Sequence, residues 1–385
     1  MKRWVVIAVV GALLAAGAGW WRWGRPSPAG ETLVEVSGSA CGLGWSAPAA
    51  GPQTLRLRNT GPVTAEAEVV DPATGAVFAE VEGLGAGATR ALDVTLAAGD
   101  YALRCLPDDA DAVTGPTVHV TGGTPRPAPA VVPVTYADLL GPAKEYHAAV
   151  TTGLDTLATQ TDALATAVGA GDRAAARSAW LTAHLTYERL GAAYGAFGDA
   201  DSVINGAADG LPGGTADPGF TGFHRIEHGL WHDEPTATLT TQAQRLADAV
   251  HQLRESFPDA QIDQLDLGVR AHEIMENALQ SELTGHTDYG SGTGLATTLA
   301  NLDGTAAVLD VLRPLLTTRM PTLSEVDAQI THARGVLATG QRPDGTWIPV
   351  AQLGTPQRER IDGAVAQLTE ELAPIAAVAA PRRTS

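Results

Sequence analysis

The sequence predicts a multidomain protein in which an all-β sandwich is followed by an all-α helical bundle. Short apolar segments with partial alternation, separated by turn residues, recur over residues 31–122. A proline-rich linker follows at 123–134. The last domain, 135–380, is predicted to be helical because apolar residues recur there at helical spacing and strand signals are sparse. A chain of 385 residues is long enough to build both cores.

The first 25 residues predict export. Lys2 and Arg3 precede an apolar run at 4–21, which has nearly the length of a membrane-spanning helix and ends in tryptophans typical of a membrane interface. We favour an uncleaved membrane anchor over a signal peptide cleaved near the small residues 16–18. Both interpretations place the rest of the chain outside the cytoplasm, either tethered to the cell membrane or in the periplasm or cell envelope.

The first domain has the strand number of a sandwich, for which about seven short strands are typical. The predicted strands are 32–36, 54–58, 65–70, 76–81, 90–96, 101–105 and 117–121. The two cysteines of the chain, Cys41 and Cys105, lie in this domain. In an exported protein a disulfide is the default for such a pair, although cysteine can instead ligate a soft metal.

The helical domain begins near Tyr136. Its first helical stretch ends at a glycine-containing break, 169–171, and Asp172 can cap a second helix that runs through Leu190. The segment 198–219 is rich in Gly, Asp and Pro, which predicts a long loop of the kind that often carries function. Further helices are predicted at 222–232, 236–256, 262–284, 293–316, 322–339 and 355–378. A bundle of this kind can hold a metal between facing helices.

The chain is strongly acidic, with 43 Asp and Glu residues against 25 Lys and Arg and a net charge of −18. This balance excludes nucleic acid as a partner, because phosphate binding requires clustered basic residues. The excess of acidic residues can serve to keep an exported protein soluble. Alternatively, it can serve to attract cations.

The most informative motif is the segment 222–231, with the sequence GFHRIEHGLW. Residues three and four apart share a face of a helix, so His224, Glu227 and His228 point the same way. An imidazole and a carboxylate placed in this manner can ligate a divalent or trivalent metal. The alternative is a surface helix with a His–Glu hydrogen bond, but the other residues of the segment are largely apolar, which favours burial.

The residues 224–228 also match the H-x-x-E-H pattern of a zinc peptidase, in which two His bind zinc and the Glu activates water. Glu273 or Glu276 could supply a third ligand. The pattern is short and chance matches are frequent, so a zinc-dependent metallopeptidase is the second hypothesis. A third is a structural protein for adhesion or cell-wall interaction that binds no metal.

Acids on neighbouring segments could complete a metal site. Glu188 shares a helix face with His184. Asp201 follows in the predicted loop, and Glu273 and Glu276 lie three residues apart on a later helix. A hard cation such as Fe³⁺ favours several carboxylate oxygens, and such a cation would explain why acids can lie near a core.

Four stretches of the sequence resemble the imelysin, or M75 peptidase-like, family. They are 220–227 (FTGFHRIE), 187–189 (YER), 197–205 (FGDADSVIN) and 308–314 (VLDVLRP). The arrangement over about residues 31–380 is similar to the extracytoplasmic components of Efe-type iron-uptake systems, which join a cupredoxin-like domain to the helical one. The resemblance implies binding of iron, as Fe³⁺ or Fe²⁺, without turnover. It also implies two partners, a membrane iron permease and a haem peroxidase.

The resemblance further implies a set of ligands. These are His224 and Glu227 of the H-x-x-E pair, followed by Glu188 and Glu276 from other helices. Asp201 and Glu273 are additional candidates because of their positions in the chain. Iron is the expected metal, with zinc or copper as other candidates.

Two departures from the family pattern concern this site. Gly191 stands where family members often have a second Glu, and Asn205 stands where many have an Asp. The site is therefore expected either to be poorer in charge or to recruit Asp199 or Asp201.

The cupredoxin-like domain departs from its family pattern as well. Cys105 stands where a copper-binding cysteine would, but no His or Met follows it closely, and His119 is the only His of the domain. We therefore favour a disulfide between Cys41 and Cys105. A metal site formed by a cysteine with Asp108 or Asp109 is the remaining alternative.

Overall fold

The computed structural model describes residues 32–123 and 130–384. The chain divides into two compact units, with one boundary between Pro133 and Val134 and a second after Arg382, where the chain returns to the first unit. The first unit is built from β-strands and the second from helices, which confirms the predicted order of fold classes. The predicted N-terminal anchor and the centre of the predicted linker lie outside the described residues.

The β unit consists of two sheets. Its strands are β1 (Thr32–Val36), β2 (Gly51–Asn59), β3 (Ala65–Val70), β4 (Val77–Leu84), β5 (Thr89–Leu96), β6 (Gly99–Pro107), β7 (Val113–Thr114) and β8 (Val118–Val120). One sheet has the order β1-β2-β5, and the other has the order β4-β3-β6-β7 with β8 also paired to β6. The pairing of β1 with β2 is parallel, and the other pairings are antiparallel.

The core of the β unit lies between these sheets because alternate side chains of each strand point inward. In β2, Leu55 and Leu57 are fully buried and belong to the same apolar cluster as Val69 and Leu103 of the second sheet. A disulfide joins Cys41, which follows β1, to Cys105 in β6, with the two Cα atoms 5.8 Å apart. Both sulfurs are thereby withdrawn from metal ligation as thiolates.

The helical unit contains ten α-helices in the part of the chain that the structure describes. They are α1 (Tyr136–Gly169), α2 (Arg173–Glu188), α3 (Tyr194–Phe197), α4 (Asp199–Asn205), α5 (Gly222–Trp231), α6 (Thr236–Ser256), α7 (Asp266–Asn277), α8 (Gly294–Arg319), α9 (Leu323–Ala338) and α10 (Thr355–Ala379). A π-helical turn, Ala278–Glu282, follows α7 directly. Asp172 caps α2 as predicted, since its side chain accepts a hydrogen bond from the backbone N–H of Ala175.

Helix α8 forms the centre of this unit and packs against α1, α2, α7, α9 and α10. Within residues 32–123 and 130–384 it is the one helix long and apolar enough to span a membrane, and 72% of its most apolar window is buried inside the protein. This burial is what a core helix of a folded domain requires. At its C-terminal end, Arg313 binds Asp327 of α9 at 3.0 Å, so part of the 308–314 stretch serves helix packing.

The prediction of an uninterrupted loop at 198–219 is wrong, because α4 occupies its first part. Gly198 adopts a φ of 57°, which allows the chain to turn sharply between α3 and α4. Asp199 and Asp201 then lie in the first turn of α4, where carboxylates interact favourably with the helix dipole. The Gly and Asp residues at the start of this segment, which predicted a loop, instead lie at the N-terminus of α4.

Candidate metal-binding cavity

A polar cavity of about 360 Å³ lies inside the helical unit. Its lining combines carboxylates, an imidazole and side-chain amides, all of which can coordinate a cation through oxygen or nitrogen. The polar lining residues are Glu188, Tyr194, Asp201, Asn205, His224, Arg270, Asn277, Ser281, Glu282, Thr287 and Asn301. They come from six helices, the π-helical turn and one loop, so the cavity exists only in the assembled fold.

The junction between α4 and α5 places His224 at this cavity. Gly222 begins α5 with a φ of 80°, and a Cβ atom at this position would lie 2.1 Å from the carbonyl oxygen of Ile204. Only glycine allows so close an approach of the two backbones. The indole N–H of Trp180 donates to the carbonyl oxygen of Phe223 at 2.9 Å, which fixes α5 against α2.

Glu188 is the most heavily contacted acid of the cavity. Its Oε1 atom lies 3.1 Å from Nε2 of His184 and accepts a hydrogen bond from the amide of Asn205 at 2.8 Å. The amide of Asn301, in the orientation that satisfies both of its polar atoms, donates to Oε2 at 2.9 Å. Burial opposes ionisation, but His184, His224 and Asn205 outweigh it and lower the pKa of Glu188.

Glu227 lies next to His224 but is buried away from the cavity. It is only 1% exposed and does not line the cavity. Its Oε1 atom accepts hydrogen bonds from the backbone N–H groups of Tyr289 at 3.1 Å and Ser291 at 3.0 Å, and Oε2 lies 3.5 Å from Nδ1 of His224. Despite burial, His224 and Ser291 lower the pKa of Glu227.

Glu282, at the end of the π-helical turn, is a cavity acid that the sequence analysis missed. Its Oε1 atom accepts a hydrogen bond from the Thr287 hydroxyl group at 2.7 Å. Burial, followed by the negative charge of Glu188, raises the pKa of Glu282 to about 7. A signal was present in the sequence, since Glu282 lies four residues after Ala278 and eight after Ile274, on the same apolar stripe.

Asp201 is the third cavity carboxylate. It accepts a hydrogen bond from the Tyr187 hydroxyl group, and burial is the main reason why its pKa is raised. The nearby charge of Glu188 raises the pKa further, whereas the Tyr187 hydroxyl and Arg270 oppose the shift. Asp201 thus lines the same cavity as Glu188 and His224.

The structure does not bring Glu273 or Glu276 to the cavity. Glu273 binds Arg270 at 2.8 Å, and the side chain of Glu276 is 47% exposed and accepts a hydrogen bond from Gln280. Helix α7 instead turns Ile274 and Asn277 toward the cavity, so both acids face outward. The two acids that the sequence favoured thus do not line this cavity, whereas Glu282 does. Asp199 does not line the cavity either.

His228 does not join His224 in a peptidase-like pair. Its Nδ1 atom lies 3.3 Å from Glu234, and its ring stacks on that of His232 at 4.3 Å. His228 is not part of the cavity lining. The carboxylate of Glu227, which a peptidase would need for water activation, is buried and bonded to backbone N–H groups.

A separate acidic group lies in the β unit. Glu66, Glu68 and Glu80 can bring three carboxylate oxygens within 4.8 Å of one another, a spacing that no other set of acids, His or Cys reaches among the described residues. Arg104 neutralises part of this charge, because its Nε atom lies 2.6 Å from Oε2 of Glu68. The cavity side chains of the helical unit are more widely spaced than this group.

The sequence of the helical unit matches a known protein family. The imelysin family, peptidase M75, matches residues 142–375, and the chain belongs to this family. It is 30% identical over 303 residues to the iron uptake system component EfeO of Yersinia pseudotuberculosis, covering 78% of this chain and 79% of that protein. It is 31% identical over 307 residues to EfeO of Yersinia pestis, with the same shares covered. It is 28% identical to EfeO of Escherichia coli over 303 residues, again with 78% and 79% covered.

Proposed function

We propose that this protein is the iron-binding component of an Efe-type uptake system, which captures iron outside the cytoplasm and passes it to a membrane permease. The similarity to proteins named as iron uptake system components supports iron as the cargo. The ligands in this proposal are His224, Glu188 and Glu282, with Asp201 at the edge of the same cavity.

The observation that carries the proposal is the burial of several acids around one cavity. Glu188 is buried and Glu282 is half-buried there, and the pKa of Glu282 is raised because desolvation and the charge of Glu188 disfavour its ionised form. Like charges placed together in this manner destabilise the empty protein. A bound cation would neutralise this repulsion, so the arrangement of acids is more favourable with a cation than without one.

The donor types of the cavity fit iron. Carboxylate and amide oxygens are hard ligands, and imidazole is a common ligand for iron in proteins. The volume of about 360 Å³ exceeds that of a bare ion, so water molecules can complete the coordination. The wide spacing of the side chains means that they would move toward an ion as it binds.

The wider assignment follows from the same proposal. The protein acts by binding rather than by turnover and works outside the cytoplasm, held by the N-terminal segment. A ferrous-iron permease receives the metal, and a haem peroxidase is the other partner. The β unit would serve as a cupredoxin-like module without a copper site, since its cysteines form a disulfide.

Titration calorimetry with Fe²⁺ under anaerobic conditions, and competition with citrate for Fe³⁺, test the proposal. We expect one high-affinity site in the wild type and a loss of at least tenfold in affinity for Glu188→Gln and for Glu282→Gln. Glu276→Gln is the matched control, because it removes the same charge outside the cavity. Equal iron affinity in all four proteins would refute the proposal.

A further inference from the structure

Two histidine rings lie against each other at the C-terminal end of α5, outside the cavity. The rings of His228 and His232 stack with their centroids 4.3 Å apart and their planes at 16° to each other. His228 belongs to the last turn of the helix, and His232 is the residue that follows its end. Residues four apart share one face of a helix, which is why the two rings meet. His232 is exposed and the side chain of His228 is 23% exposed, so solvent reaches the pair.

One nitrogen of each ring already has a partner in the protein. Nδ1 of His228 lies 3.3 Å from Oε1 of Glu234, and Nδ1 of His232 lies 2.8 Å from the carbonyl oxygen of His228. Among the described residues, Nε2 of neither ring has a hydrogen-bond partner. A histidine that binds a metal through one nitrogen usually contacts a carboxylate or a backbone carbonyl oxygen through the other. Both rings have this arrangement, which leaves both Nε2 atoms for a metal.

The spacing of the two rings suits a cation that is bound by both. Metal–nitrogen bonds of about 2.0–2.1 Å at a tetrahedral angle place the two nitrogens roughly 3.3 Å apart. Rings that stack at 4.3 Å need only small rotations about their Cβ–Cγ bonds to reach that separation. Two histidines with the same spacing on one helix bind zinc in the H-E-x-x-H motif. The pair can therefore act as a two-nitrogen chelate.

The charged groups around the pair determine which class of cation it favours. Arg225 lies 2.7 Å from Glu234, and Arg173 lies 3.8 Å from Asp233, so these charges largely cancel. Arg177 adds a positive charge to the region, with its guanidinium group over an indole ring and bonded to a backbone carbonyl oxygen. No surplus of carboxylate attracts a hard cation here. Binding therefore depends on imidazole nitrogen, which favours Cu²⁺ and Zn²⁺ over Fe³⁺ or Mg²⁺.

We propose that His228 and His232 form a second metal site, which binds Cu²⁺, and more weakly Zn²⁺, through both Nε2 atoms. The site differs from the cavity in its ligands and shares no lining residue with it, so the inference goes beyond the proposed function and does not depend on it. Among the described residues no third His, Cys, Asp or Glu joins the pair at the close spacing of the acidic group in the β unit. Water molecules therefore complete the coordination.

Electron paramagnetic resonance of the full chain with Cu²⁺ tests the proposal, because the coupling of nitrogen nuclei to the electron spin counts the imidazoles on the metal. We expect two imidazoles in the wild type and one in His232→Gln. The affinity for Cu²⁺ should fall on the order of 100-fold in the variant, since the second imidazole no longer binds intramolecularly. His251→Gln is the matched control, because it removes a partly exposed histidine of α6, beside Asp162. Equal imidazole counts and equal Cu²⁺ affinities in the wild type and His232→Gln would overturn the inference.

A crystal structure of the wild type with Cu²⁺ locates the metal without any substitution. We expect anomalous density within bonding distance of Nε2 of both His228 and His232. Density confined to the cavity, or bonded to only one of the two rings, would overturn the inference. The iron affinity of His232→Gln should equal that of the wild type. Failure of both proteins to bind iron, with Cu²⁺ at the histidine pair, would contradict the proposed function and support this second site.

Discussion

The carboxyl group of Glu282 shares a buried cavity with the carboxylate of Glu188, and burial together with this like charge raises its pKa to about 7. The pKa of Glu188 is shifted in the opposite direction, since His184 and His224 favour its charged form. Two acids in one cavity therefore differ in protonation near neutral pH. One is a permanent negative charge and the other exchanges its proton when conditions change.

The free energy of unfolding of the cation-free protein should decrease as pH rises from about 4.5 to about 7. A folded-state pKa above the ordinary 4.5 means that the folded protein holds the Glu282 proton more tightly, so stability is lost as that proton leaves. The loss is at most roughly 3 kcal/mol. Urea unfolding at pH 5 and pH 8 measures it. Glu282→Gln should remove this dependence and Glu276→Gln should keep it; an unchanged pH dependence in Glu282→Gln would contradict the prediction.

Cation binding should release a proton and weaken as the medium becomes acidic. Below about pH 7 the Glu282 carboxyl group is mainly protonated, and a cation must displace that proton. Affinity should fall by up to tenfold for each pH unit below this point. Calorimetry with Zn²⁺ in buffers of different ionisation enthalpy counts the protons released. In Glu282→Gln the count at pH 6 should be lower than in the wild type, and an equal count would exclude Glu282 as the source.

Asn205→Asp should raise cation affinity while destabilising the empty protein. The Asn205 amide donates to Glu188 at 2.8 Å, and an aspartate there would replace this hydrogen bond with a second negative charge. The expected loss of stability without metal is about 1–3 kcal/mol. Thermal unfolding with and without saturating Zn²⁺ tests both effects. A variant that loses stability equally in the two conditions would show that position 205 does not act on the cation.

Gly222→Ala should destabilise the helical unit by at least about 2 kcal/mol, because a Cβ atom combines a disfavoured φ with a backbone clash. The nearest atom would be the carbonyl oxygen of Ile204, 2.1 Å away, in the segment that also carries Asn205. Gly363→Ala is the control, since that helical position has open space and alanine favours a helix. Chemical denaturation of both variants gives the comparison. Equal stabilities would show that the junction adapts without cost.

Reduction of the Cys41–Cys105 disulfide should destabilise the β unit by about 4 kcal/mol, according to the chain-entropy relation for a separation of 64 residues. The paired substitution Cys41→Ser and Cys105→Ser should have a similar effect. The iron affinity of the helical unit should stay the same, because the cavity contains no residue of the β unit. Thermal unfolding with and without reductant measures the first effect. A loss of iron binding on reduction would contradict the second.

The sequence predicted most of the fold because its local signals agree with the tertiary structure. Strands 32–36 and 65–70 have the expected bounds, and helix 236–256 agrees with Thr236–Ser256. The two-residue strand Val113–Thr114 was missed, since so short a segment has no periodicity to detect. The helix expected at 262–284 begins only at Asp266 and ends in a π-helical turn.

The candidate site was less predictable, and Glu276 and Glu282 show why. Both are acids on the same predicted helix, and spacing alone does not reveal which one faces a cavity until its other walls are known. The motif led to His224 and Glu227, but spacing on one helix does not show which partners these side chains find in the rest of the fold. The backbone N–H groups that bind Glu227 belong to the Tyr289–Ser291 segment, which is more than 60 residues away in sequence.

The walls of the cavity come from segments as distant in sequence as Glu188, His224, Glu282 and Asn301, so a chain that ends before residue 301 does not contain all of them. An unfinished or unfolded polypeptide offers iron only scattered carboxylates that any cation could occupy. Under the proposed function, loading must therefore come after folding, and the compartment in which the chain completes its fold determines which metal ions are available to it.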